Sequence, residues 1–207
     1  MAYFPDGHSA ISKLLYRLES CSTVNEKQWV DSMLAIAKRS LGSNIIVHVG
    51  KRLPYGSEIR QYSGDTPEQN AKDYETDLLF CETTADESWK PRLIIECKIK
   101  SITTHDAITY SQKAISHKSV HPYLRYGIMI GGVGSTPLPG RLYRHGTAFD
   151  FMMSFGSLKP TKAEADRFGQ VVDDEIEASR QLERIVYDTR KKDRDKYTLL
   201  HRKLHLE

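Results

Sequence analysis

Apolar residues recur at Val30, Met33, Leu34, Ala37 and Leu41, three and four apart, so residues 23–41 are expected to form an amphipathic helix that Gly42 stops. Beyond the glycine the period changes. Ile45-Ile46-Val47-His48-Val49 is short and β-branched and predicts a strand. Residues 50–72 are polar and punctuated by Pro54, Gly56, Gly64 and Pro67, the composition of a long loop or a loose hairpin. Two strand-like runs follow at 74–82 and 92–99, joined by the polar turn Thr83 to Pro91. Residues 104–119 read as a helix with Ala107, Ile108, Ser111, Ala114 and Ile115 on one side, and Pro122 ends it. Tyr126 to Ile130 is an apolar strand that runs into a glycine-rich loop from Gly131 to Pro137, and Thr147 to Phe155 alternates as a last strand. From Thr161 to about Lys192 the pattern is a long charged helix with Val172, Ile176, Leu182, Ile185 and Val186 as its apolar line.

A crossover helix between the third and fourth strands implies that those strands run parallel in a mixed sheet. The expected fold is therefore an α/β sandwich, with a central mixed β-sheet flanked by helices and a long C-terminal helix. We expect one α/β domain over residues 1–160 and a helical extension, 161–207, packed on it. A chain of 207 residues is long enough to bury roughly 70% of its unfolded surface. Its 39% hydrophobic and 28% charged content exclude a disordered or fibrous protein. The longest apolar run, Tyr126 to Val133, is too short to cross a bilayer, and the first residues lack the features of a secretion signal. Cys21, Cys81 and Cys97 have no paired short spacing, so they are expected to be reduced thiols rather than a disulfide framework or a zinc cluster. These points place the protein in the cytoplasm. Net charge is only +3, but Arg190, Lys191, Lys192, Arg194, Lys196, Arg202 and Lys203 crowd the C-terminus, which permits a polyanionic partner without requiring one.

The run Arg92-Leu93-Ile94-Ile95-Glu96-Cys97-Lys98-Ile99-Lys100 carries the clearest chemical signal. Side chains alternate across a strand, so Leu93, Ile95, Cys97 and Ile99 share one face, while Ile94, Glu96, Lys98 and Lys100 share the other. The second face begins apolar and ends charged, as a site at a sheet edge or cleft requires. An unpaired charge buried in a strand costs several kcal/mol or more, so these charges ask for partners. On the preceding run Glu75, Asp77, Leu79 and Cys81 share a face, and Asp77 meets Glu96 if the two strands pair. Paired carboxylates next to an ammonium suit phosphodiester hydrolysis, because Mg²⁺ takes one or two carboxylates and completes its shell with water and phosphate.

A helix, a strand, a strand with Asp77, a strand with Glu96-Cys97-Lys98, then a helix and a strand, together resemble the catalytic core of the PD-(D/E)xK nuclease superfamily, the restriction-endonuclease-like fold. The resemblance covers residues 23–131, with Thr76 where the motif's name has proline. It implies that Asp77 and Glu96 hold Mg²⁺, with Mn²⁺ able to substitute, and that Lys98 assists the attacking water. It further implies cleavage to 5′-phosphate and 3′-hydroxyl ends.

Glu26 is a further metal ligand by resemblance, against the alternative that Thr23 and Glu26 form a capping box. Glu75 reads as a solvated charge at the strand entry. Gln112 and Lys113 on the helix after the motif, Lys100, and Arg141 beside the glycine-rich loop are the candidate DNA contacts, and Arg144 would help. His117 with His121, and His201 with His205, have the spacing of a helical metal pair but lack a third ligand, so each is expected to be a surface pair or a helix-end charge. The loop from Gly131 to Gly140 lacks the Lys-Ser/Thr of a phosphate-binding loop, which excludes a nucleotide cofactor there.

The expected activity is that of a Mg²⁺-dependent DNA endonuclease acting as a homodimer, with a type II-like restriction enzyme as its leading form. The alternatives are a structure-specific nuclease, such as a junction resolvase or repair enzyme, and a non-catalytic nucleic-acid-binding module of the same fold.

Overall fold

Helix α1 (Glu26–Ala37) starts where Asn25 can cap it: the Asn25 side chain accepts from the Gln28 amide at 2.9 Å, and the Gln28 side chain accepts from the Asn25 amide at 3.0 Å. The alternative of a Thr23–Glu26 capping box thus gives way to one two residues on, and Glu26 is released from a capping role. The structure is a computed structural model that describes residues 24–39, 41–188, 192, 196–201 and 204–207. Thr23, Cys21 and most of the basic C-terminal cluster lie outside the described residues. Trp29, Val30, Met33 and Ala37 form the buried stripe of α1, with Trp29 the largest of the four.

The chain continues through β1 (Ile45–Val49), β2 (Arg52–Ser63), β3 (Thr66–Glu75), β4 (Leu78–Thr83), β5 (Trp89–Ile99), α2 (Thr104–Val120), β6 (Arg125–Gly131), α3 (Gly140–His145), β7 (Phe151–Phe155) and α4 (Lys162–Tyr187). Five strands make one sheet in the order β1-β4-β5-β6-β7. The β1–β4 and β4–β5 pairs are antiparallel, and the β5–β6 and β6–β7 pairs are parallel. The parallel half follows from its connections, since α2 and α3 carry the chain back to the starting edge before each new strand. The protein is therefore an α/β sandwich with a central mixed five-stranded sheet flanked by helices and a long C-terminal helix.

The sheet is buried on both faces, as the alternation along β5 requires. Leu93, Ile95 and Cys97 pack with Trp29 and Met33 of α1 and with Phe168, Val172 and Ile176 of α4. Ile94 packs on the other side with Tyr126, Ile128 and Ile130 of β6 and with Ala107 and Ala114 of α2. Gly131 is a tight contact in the first core, because a Cβ there would sit 2.5 Å from the Trp29 ring.

Four expectations are corrected. Residues 50–72 take the hairpin of their two expected forms, as a long regular one: β2 and β3 form a two-stranded ribbon that reaches Glu75, so the strand expected at 74–82 divides at Thr76-Asp77. On α2 the buried stripe is Ala107, Ser111, Ala114 and His117, while Ile108 and Ile115 are each 50% exposed. Small residues face the sheet there because they let the helix approach closely. The glycine-rich stretch hides α3, and the last strand is limited to Phe151–Phe155. On α4 the buried line is Phe168, Val172, Ile176 and Ser179, with Ile185 exposed. The first half of the expected apolar line is thus occupied by the chain's own core. No helix among the described residues is long and apolar enough to cross a membrane.

Candidate functional site

The antiparallel register pairs Leu78 with Ile95, and continuing it by one residue sets Asp77 opposite Glu96. The Cys97 amide donates to Asp77 Oδ2 at 2.7 Å, fixing this carboxylate at the mouth of β4. The ribbon secures the same point: the Thr76 amide and hydroxyl both donate to the Lys51 carbonyl, at 3.2 and 2.8 Å. Asp77 therefore sits between the ribbon base and the central strand.

Glu96 is 1% exposed. The Tyr126 hydroxyl donates to its Oε1 at 2.6 Å, and Lys113 Nζ lies 3.6 Å from the same oxygen. Burial, followed by the negative charge of Asp77, pushes the Glu96 carboxyl up to about 7, against the opposing pull of Lys113. Lys98 leaves the end of the same strand and pairs with Glu26 of α1 at 3.1 Å. Burial disfavours its charge, but the Tyr110 hydroxyl and Glu26 outweigh burial, and its pKa is raised. The ammonium is therefore firmly held in its charged form. Lys98 and Lys113 lie 5.3 and 5.2 Å from the Tyr110 ring centroid, and Lys113 lies 5.5 Å from that of Tyr74.

The structure thus brings Asp77, Glu96, Lys98, Glu26 and Lys113 to one end of β5. Glu26 stands on Lys98, so it serves that ammonium and does not complete a three-carboxylate cage. Among the described residues, no group of three or more His, Cys, Asp or Glu side chains is placed to hold a metal ion. Two carboxylates nonetheless suit Mg²⁺, which keeps several waters and takes substrate oxygens. Two adjacent hard-oxygen donors, one of them pushed toward protonation by burial and then by the other's charge, are a donor set that a divalent cation would relieve.

The remaining candidates are dispersed. Gln112 is exposed on the outer face of α2. Lys100 is exposed immediately beyond β5 in a left-handed conformation, φ +66°, and its amide donates to the Gly131 carbonyl at 2.7 Å. Arg141 is exposed on α3 and donates to the Ile102 carbonyl at 3.0 Å. Glu75 is exposed, and its carbonyl accepts from Lys113 at 3.5 Å. Cys97 is fully buried on the core face, and burial holds its thiol protonated.

His117 is a correction: it is fully buried, not a surface charge. Its Nε2 donates to the Leu53 carbonyl of the ribbon at 3.1 Å, and burial lowers its pKa to about 4. His121 ends α2, with Nδ1 3.3 Å from the His117 carbonyl. Tyr110 and Tyr126 are site residues that the chain pattern did not single out. Tyr110 could have been found, since it precedes Lys113 by three residues on a helix. Tyr126 could not, since its proximity to Glu96 depends on the parallel register that sets it beside Ile94. No protein-family model matches the chain, and no curated protein matches it.

Proposed function

We propose that this protein is a Mg²⁺-dependent deoxyribonuclease of the PD-(D/E)xK, restriction-endonuclease-like kind. The single observation that carries the reading is the end of β5, where Glu96 faces Asp77 across the strand pair and Lys98 emerges two residues later with its charge secured. Mg²⁺ held by Asp77 and Glu96 would neutralise charge developing on the scissile phosphate.

The chain's own groups account for the rest. A lysine whose pKa is raised does not deprotonate water at neutral pH, so Lys98 acts as a fixed cation and hydrogen-bond donor that orients the water and stabilises the phosphorane-like charge. Glu26 holds that ammonium in place. Lys113 keeps Glu96 toward its ionised form, and with Lys100 and Arg141 it supplies positive charge for the DNA backbone. The ribbon, with twelve residues in β2 and ten in β3, is long enough to span on the order of 30 Å, and a two-stranded ribbon fits the major groove. That dimension favours recognition of duplex sequence, hence a restriction-type endonuclease. Two-fold pairing of chains would supply one site per strand.

The test is incubation of the purified protein with plasmid, linear duplex, single-stranded and branched DNA in Mg²⁺, Mn²⁺ or EDTA. Cleavage of duplex DNA that stops in EDTA and leaves 5′-phosphate ends supports the reading. Cleavage confined to branched DNA would replace it with the structure-specific alternative, and DNA binding without cleavage would leave a non-catalytic module.

A further inference from the structure

Tyr126 is fully buried, and its ring stacks with two others: His117 at 5.8 Å and 27°, and Phe149 at 6.3 Å and 26°. His117 is itself pinned by its bond to the Leu53 carbonyl at the ribbon base. The Tyr126 hydroxyl is therefore fixed by packed rings on a β-strand, and it spends its proton on Glu96 Oε1 at 2.6 Å. The Lys113 ammonium approaches that same oxygen at 3.6 Å. Both donors thus converge on one oxygen of the carboxylate, and the negative charge of Asp77 acts on the same group.

We propose that Tyr126 is a positioning residue for the cation site: its hydroxyl, clamped by His117 and Phe149, occupies Glu96 Oε1 so that the other oxygen is presented beside Asp77. The inference rests on the reading of Asp77 and Glu96 as cation ligands. A buried carboxylate with one oxygen already satisfied has a single productive orientation, and no time is lost in unproductive rotamers. Groups that orient a metal-binding side chain in this way typically change metal affinity or activity by about 10- to 100-fold when removed.

The experiment is Mn²⁺ titration of the full chain by calorimetry, comparing wild type with Tyr126→Phe, which keeps the ring stack and removes the hydroxyl. Weaker Mn²⁺ binding by about 10- to 100-fold is expected. The Mg²⁺ concentration for half-maximal cleavage should rise by a similar factor, while the rate at saturating Mg²⁺ falls less. Mn²⁺ affinity within twofold of wild type would overturn the positioning role and leave the nuclease reading intact. Should Tyr126→Phe fail to fold, Phe149→Leu loosens the clamp with the hydroxyl in place. A several-fold loss of Mn²⁺ affinity then supports the inference, and none overturns it. Wild-type protein that takes up no Mn²⁺ at millimolar concentration would instead overturn the cation-site reading, and this inference with it.

Discussion

Glu96→Gln should stabilise the metal-free protein at alkaline pH, although it removes a central group of the site. Glu96 is moved from an ordinary 4.5 to about 7 by burial and by Asp77. At about 1.4 kcal/mol per pKa unit, this corresponds to about 3 kcal/mol. Because the folded state favours the protonated form, the contribution is fully present below pH 4.5 and is lost as pH rises through 7. His117 works in the opposite direction: its lowered pKa, about 4, gives stability that is present above 6.5 and lost as pH falls through 4. A wild-type profile alone therefore mixes two effects of opposite sign, whereas the difference between variant and wild type cancels His117. Glutamine is neutral at every pH and still accepts from Tyr126. Urea melts in EDTA at pH 4.5, 6, 7 and 8 should show the variant gaining about 3 kcal/mol on wild type across that range. A flat difference, or one that falls with pH, would refute the account of Glu96 as a carboxylate confined against Asp77.

Other consequences can be checked separately. Phe168→Ala removes a fully buried ring of α4 that meets Phe155 edge-on at 6.2 Å, and should lower the unfolding free energy by about 3–5 kcal/mol in denaturant melts. Gly131→Ala drives a Cβ into the Trp29 indole and should cost about 1–3 kcal/mol, with a shift in tryptophan emission as α1 moves. Lys100→Gly relieves a left-handed backbone and should raise stability by about 1 kcal/mol. It should also weaken DNA binding and reduce the slope of log affinity against log salt by about 0.9, as loss of one phosphate contact requires.

The chemistry at the end of β5 was legible because two rules act locally. Alternation assigned Glu96 and Lys98 to one face and Cys97 to the core, and the short connection to the preceding strand set Asp77 against Glu96. The partners of those charges were not legible. Glu26 reaches Lys98 only because Trp29 and Met33 seat α1 on the opposite face of the sheet, and Tyr126 reaches Glu96 only through the parallel register. Polarity left loop and hairpin undivided in the ribbon, where residues exposed on both faces carry no alternation and cross-strand pairing makes them a hairpin. Size misled on α2: Ile108 and Ile115 were assigned inward, but the sheet face is taken by Ala107, Ala114 and the neutral His117.

The most direct test is the rate of Mg²⁺-dependent DNA cleavage by wild type and Lys98→Ala under identical conditions, with circular dichroism to establish that both are folded. Wild type should cut and Lys98→Ala should lose at least about 100-fold in rate, as expected when a group that stabilises developing charge is removed. Equal cleavage by the two proteins would contradict the account.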